Sequence, residues 1–250
     1  MAICKYCGKD KSLVDAHILP KAFYPQPTKV GPAVLLTTNE ERPKRSPMGI
    51  YDKHVLCAEC DRKLGVLDQH AIEHLLRAPG RLAFEGHLKF YDDASPRMLR
   101  LFIGSLAWRA SISGQDAFDR VSLGPYEVLL HAMLYNDTIE PRVSAVITEF
   151  DMPEPPFIVN PMTSRIDGVN FLNIYGARFH FYLKLDKRPI QLPLANLELT
   201  EGNPVMSLVM PWVGSPEAAN LRKMAFGNPH MERIMRDQWK WASLVKPKAT

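Results

Sequence analysis

Cysteine is scarce in this 250-residue chain, and long apolar runs are missing altogether. No uninterrupted apolar stretch approaches the roughly 20 residues that a membrane-spanning helix requires. No internal repeat is evident, which excludes solenoid and propeller architectures. Charge of either sign is close to balanced, at +4 overall, so the chain is neither an acidic solvating tail nor a strongly basic arm. The N-terminus shows no charged-then-apolar leader pattern, because a Cys-x-x-Cys begins almost at once. A cytoplasmic location without membrane attachment is the expectation. What remains is ordinary globular material, 46% hydrophobic and 23% charged, with enough length to bury a core.

The few cysteines are placed with economy. All four fall in two Cys-x-x-Cys knuckles, Cys4/Cys7 and Cys57/Cys60, with none left over. In a reducing compartment that pattern favours a metal over disulfides. A thioredoxin-like redox motif needs only one such pair and a βαβ context, which is missing here. Four thiolates with no open position point to a structural tetrahedral zinc. Twelve of the Lys and Arg and nine of the Asp and Glu lie in residues 1–78, so +3 of the net charge belongs with this module. The excess suits contact with a polyanion such as DNA.

Between the knuckles lie a short extended segment, 12–19, ended by Pro20, and a long irregular stretch, about 24–50. That stretch holds five prolines and the basic cluster Arg42, Lys44 and Arg45. Such a loop is either a solvated insertion or a DNA-contacting element. Residues 51–57 read as extended again. A helix follows over about 58–77, with Leu64, Leu67, Ala71, Ile72 and Leu75 on one face and Pro79-Gly80 as its stop. A second helix, about 96–113, opens at Ser95-Pro96 and is apolar nearly all round, which predicts a central position in the core. Arg100 and Arg109 interrupt it. A third helix spans about 125–136.

From 142 the pattern alternates. Strands are expected around 143–147, over 169–175, over 179–185 and over 204–210. Two closing helices begin at Ser215-Pro216 and Asn228-Pro229. The fold class is therefore α+β: a zinc-stapled N-terminal module (1–78), a helical core segment (79–140), and a C-terminal part (141–250). The last combines a mostly antiparallel sheet with two closing helices. One α+β domain carrying the zinc module is an equal reading. The C-terminal part is the candidate surface for a protein partner or a homo-oligomer.

One feature of the first helix demands a partner. Asp61 and Asp68 are seven residues apart, so at about 100° per residue they fall nearly on one line. That line lies within the apolar arc, where carboxylates are costly unless paired or bound to a cation. Salt bridges to an arginine, or capping of the helix start by Asp61, would satisfy them. So would a divalent cation, with His17 opposite to activate water for phosphodiester hydrolysis. His70 and His74 are spaced to ligate a metal together, but fall on the other side of the helix, where an exposed polar face is expected.

The segments Cys4-x-x-Cys7, Asp15-Ala16-His17-Ile18-Leu19-Pro20 and Leu56-Cys57-x-x-Cys60-Asp61 resemble the HNH, or ββα-metal, endonuclease family in its Cys4-zinc subgroup. His17-Ile18-Leu19-Pro20-Lys21, Asp61 and Asp68 look most like a bacterial and phage-associated branch of it. Leu106-Ala107-Trp108-Arg109-Ala110-Ser111 is similar to a segment that follows the module there. The resemblance covers about 1–75 well and 95–112 thinly. It implies a ββα-metal fold and DNA cleavage in phage defence or phage DNA handling. His17 would be the general base, and Asp52 would stand in the place of the asparagine that orients it. Asp61 would stand where the family has a metal-binding His or an Asn, and Mg²⁺ or Mn²⁺ would be the catalytic cation. One position departs from the pattern: the residue before the base is usually Asp or His and helps hold the metal, and here it is Ala16. Asp61 and Asp68 must then hold the cation, or the module is a zinc-bound scaffold that binds DNA or protein without cutting.

Overall fold

The computed structural model describes residues 2–24, 49–151 and 159–212, the backbone of 34–35 and 157–158, and positions 214, 215, 218, 219, 223, 229 and 230. Arg42, Lys44 and Arg45 lie outside the described residues, as does most of the span expected to form the two closing helices.

The N-terminal module is built from very short strands. A first ribbon pairs β1 (Ala2–Ile3) with β2 (Asp10–Lys11), and the first knuckle is its turn. Gly8, at φ +67°, takes the left-handed conformation after the second thiol. A second ribbon pairs β3 (Ala16–His17) with β5 (Tyr51–Asp52), while β4 (Val34–Leu35) leaves the module to run parallel to β9 (Phe157–Ile158). α1 (Ala58–Ala71) follows with Cys57 as its N-cap residue. It runs on through one π-helical segment, Ile72–Arg77, so the expected helix over 58–77 is present with wider winding at its end. β-hydrogen bonds tie the parts together: Leu13 bridges to Cys57, and Val14 N donates to Leu56 O at 2.9 Å.

α2 (Pro96–Ile112) is the centre of the molecule. Ser95 caps it, its Oγ accepting from Met98 N at 3.3 Å, and every residue from Leu99 to Ala110 is buried. Its all-round apolar surface packs on α1, on α3 (Tyr126–Tyr135) and on the sheet. The sheet has seven strands, in the order β10 (Met162–Ile166), β11 (Val169–Gly176), β12 (Phe179–Lys184), β8 (Ala145–Phe150), β13 (Val205–Met210), β7 (Leu88–Tyr91) and β6 (Arg81–Ala83). All neighbours are antiparallel except β13 and β8, which are parallel.

Two findings differ from the sequence reading. β6 and β7 arise from the segment expected to be helical and join the same sheet as the C-terminal strands. One hydrophobic core runs from Cys4 to Val205, with Phe23, Phe102, Phe179 and Phe181 stacked where the module, α2 and β12 meet. Among the described residues no helix is long and apolar enough to cross a membrane.

A sulfur cluster beside a half-buried acidic groove

The four cysteines meet. Their sulfurs lie within 4.8 Å of one another, three of the residues being buried, although Cys4 and Cys57 are 53 positions apart. A tetrahedral ion with metal–sulfur bonds of about 2.3 Å sets its sulfurs about 3.8 Å apart, so a metal fits this cluster. Cys57 N donates to Cys4 Sγ at 3.3 Å, the kind of contact that stabilises a charged sulfur. Burial, and then the neighbouring sulfurs, push the Cys60 thiol far up, so full ionisation of the four requires a cation among them. The knuckle is also docked on the helices: Tyr6 hydroxyl donates to Leu134 O at 2.7 Å, and its ring meets Trp108 edge-on at 5.6 Å.

The cluster fixes the start of α1 beside β3, and here the second group of polar side chains assembles. Arg109, on α2 and only 1% exposed, reaches across to both elements. Its two terminal nitrogens grip the Asp68 carboxylate at 2.9 and 2.6 Å, and one of them also donates to His17 O at 2.9 Å. Of the readings open for the inward-facing carboxylates, Asp68 has an arginine. The sequence had offered Arg109 only as a charge in an apolar helix. A guanidinium inside an otherwise apolar helix was itself the available signal, because a buried cation must have a carboxylate or several carbonyls opposite it.

Asp61 is half-buried on the same helix face. Burial pushes its carboxyl above the usual range; Arg109 opposes this, Asp68 adds to it and His17 opposes it. His17, Asp61, Asp68 and Arg109 therefore share one electrostatic neighbourhood. Among the described residues, however, the four cysteines are the group of three or more His, Cys, Asp or Glu whose ligand atoms close within 4.8 Å. His17, Asp61 and Asp68 do not draw together to that distance.

Asp52 lies elsewhere. The ribbon pairs Ala16 with Asp52 and His17 with Tyr51, and partners directly opposite each other share a face, so Asp52 and His17 point to opposite sides. Its carboxylate, 1% exposed, accepts from Ser113 Oγ at 2.9 Å and from the backbone nitrogens of Gly114 and His54, each at 2.8 Å. Burial raises its pKa, but these hydrogen bonds outweigh it and hold the group below the usual carboxylate range. The expected orienter of His17 is thus an anchor for the end of α2. The ring beside His17 is Tyr51, with centroids 6.0 Å apart and Lys53 Nζ 5.8 Å from the Tyr51 centroid.

His70 and His74 do approach, with ring centroids 4.3 Å apart. Yet His70 Nε2 accepts from Ser95 N at 3.1 Å, which uses the lone pair a metal would need and places the proton on Nδ1. Both rings are half-buried rather than exposed. No family model, no curated protein and no solved structure matches the chain.

Proposed function

We propose that the chain is a metal-dependent endonuclease of the HNH type acting on DNA, with zinc in the cysteine cluster as a structural staple. The observation that carries this reading is the shared neighbourhood of a histidine on a β-ribbon and a half-buried carboxylate on the next helix. That is the minimum equipment for phosphodiester hydrolysis. His17 would take a proton from the attacking water. Asp61 would hold a divalent cation, Mg²⁺ or Mn²⁺, which supplies charge stabilisation at the scissile phosphate and the leaving oxygen. Asp68, gripped by Arg109, sets the distance between ribbon and helix rather than serving first as a ligand. Four buried or near-buried sulfurs favour zinc over harder ions, because oxygen-seeking cations gain little from thiolates.

A second reading is favoured by one specific observation. Ala16 is fully buried and Asp68 is already ion-paired, which leaves Asp61 and His17 as the remaining ligands facing each other from the two elements. The module would then be a scaffold that binds DNA or a protein partner without cutting it.

Nicking of supercoiled plasmid separates the two. The nuclease reading predicts conversion to open circle with Mg²⁺ or Mn²⁺, none with EDTA, and at least a hundredfold slower conversion for His17→Ala, in keeping with the loss of a general base. Cutting that survives His17→Ala unchanged would remove His17 from the mechanism. Plasmid retardation without nicking would favour the scaffold.

A further inference from the structure

Between Asp61 and Asp68, on the same side of α1, stands Gly65. At about 100° per residue the three fall within an arc of about 60°, with Gly65 on the solvent side of it. A glycine in a helix interior costs about 1 kcal/mol relative to alanine. The usual compensations are absent. Gly65 has no positive φ, and a Cβ placed on it would meet nothing within 4 Å. Gly104 in α2 makes the contrast: there a Cβ would come within 2.7 Å of the Met133 side chain, so that glycine is required by packing. Gly65 is required by no part of the protein that surrounds it.

The open space belongs to a groove with two banks. One is the α1 face with Asp61, Gly65 and the Arg109-bound Asp68. The other is the ribbon β3–β5, where His17, Tyr51 and Lys53 succeed one another outward from the buried end. Lys53 is 61% exposed and holds only a loose pair with Asp15 at 3.8 Å, so its charge is available to a polyanion. Tyr51, half-buried, offers a ring beside the histidine.

We propose that Gly65 is the clearance through which a nucleic-acid strand passes, its sugar–phosphate backbone lying over the bare helix surface between the two banks. The inference rests on the hydrolase reading and names the residue that makes room for its substrate. A side chain at 65 would project into the path of the strand. The acidic bank would admit a phosphate only once a cation sits at Asp61, so strand binding is expected to need a divalent ion.

The test is a size series, Gly65→Ala and Gly65→Leu. It is read by anisotropy of a labelled 20-nucleotide strand with Mn²⁺, by plasmid nicking, and by melting temperature. Gly65→Ala should melt no lower than wild type, because helix propensity improves and nothing is struck. Strand affinity should fall with side-chain size, by about tenfold or more for leucine, and nicking should fall with it. Val66→Gln, an exposed position on the outward side of α1, should alter neither. If wild type cuts and binds while Gly65→Leu does so equally well, the clearance is refuted and the hydrolase reading stands. If wild type neither binds nor cuts with any divalent ion, both are refuted. If only binding survives, in wild type and in Gly65→Leu alike, the clearance is again refuted.

Discussion

The module and the sheet treat buried charge in opposite ways. In the sheet, Glu149 on β8 is enclosed by Tyr91, Lys89 and Arg178, with Lys89 Nζ at 3.1 Å and Arg178 Nε at 2.6 Å. His180 on β12 is kept neutral: burial lowers its pKa to about 3, and its Nε2 donates to Asn173 Oδ1 at 2.9 Å. These groups face inward and are consumed by neighbours. In the module, Arg109 closes on Asp68 in the same manner, but Asp61 and His17 beside it stay half-buried next to the bare surface at Gly65. Shielded polarity specifies a fold. Polarity left at the border of open space is available for chemistry.

The contrast breaks most visibly at the sulfur cluster. Cys60→Ser should unfold the N-terminal module and release about one zinc per chain, since structural zinc supplies folding free energy of about 10 kcal/mol or more. Metal analysis and circular dichroism read this. If the protein keeps its fold and its metal, the cluster is not a staple. Next in size is Arg109→Leu, which leaves Asp68 without its counter-charge and His17 O without its donor. A loss of about 3–5 kcal/mol is expected in denaturant unfolding. Glu149→Gln should cost about 2–4 kcal/mol by leaving Lys89 and Arg178 facing a neutral amide, yet leave plasmid nicking unaltered. An equal loss of cutting would erase the distinction between the regions.

The smallest effect is read along pH. His180 has a folded pKa depressed to about 3, against about 6.5 for an unfolded histidine. Its contribution is present above pH 6.5 and is lost as pH falls towards 3, because the unfolded chain takes up a proton that the folded one refuses. The slope is about 1.4 kcal/mol per pH unit within that window. His180→Gln should flatten the stability profile between pH 6 and 4 by about that amount. A variant as steep as wild type would show that the buried ring is not neutral.

Much of this was legible in the sequence, and the rest was not for physical reasons. Paired cysteines announce a cluster because thiolate chemistry tolerates few spacings. The expected helices over 58–77, 96–113 and 125–136 correspond to α1 with its π-helical extension, α2 and α3, because periodicity and the Ser95-Pro96 start are local signals. β8, β11, β12 and β13 fall within about three residues of the expected strands for the same reason. The hairpin of β6 and β7 was hidden. Its strands are three and four residues long, and its turn passes through Phe84 and Glu85 at positive φ, a conformation their side chains disfavour. Local pattern does not name distant partners either. Asp68 could be read as needing a cation, but not as meeting Arg109 41 residues away, nor could Asp52 be read as turning from His17 to Ser113.

The comparison reduces to whether the module holds two metal sites of different kinds. Titration calorimetry of Mn²⁺ into the chain, purified with its cysteine cluster loaded, tests this directly. One further divalent site per chain in wild type, absent in Asp61→Asn at unchanged zinc content, is the predicted result. A wild type with no second site, or an Asp61→Asn variant that binds Mn²⁺ as wild type does, would contradict it.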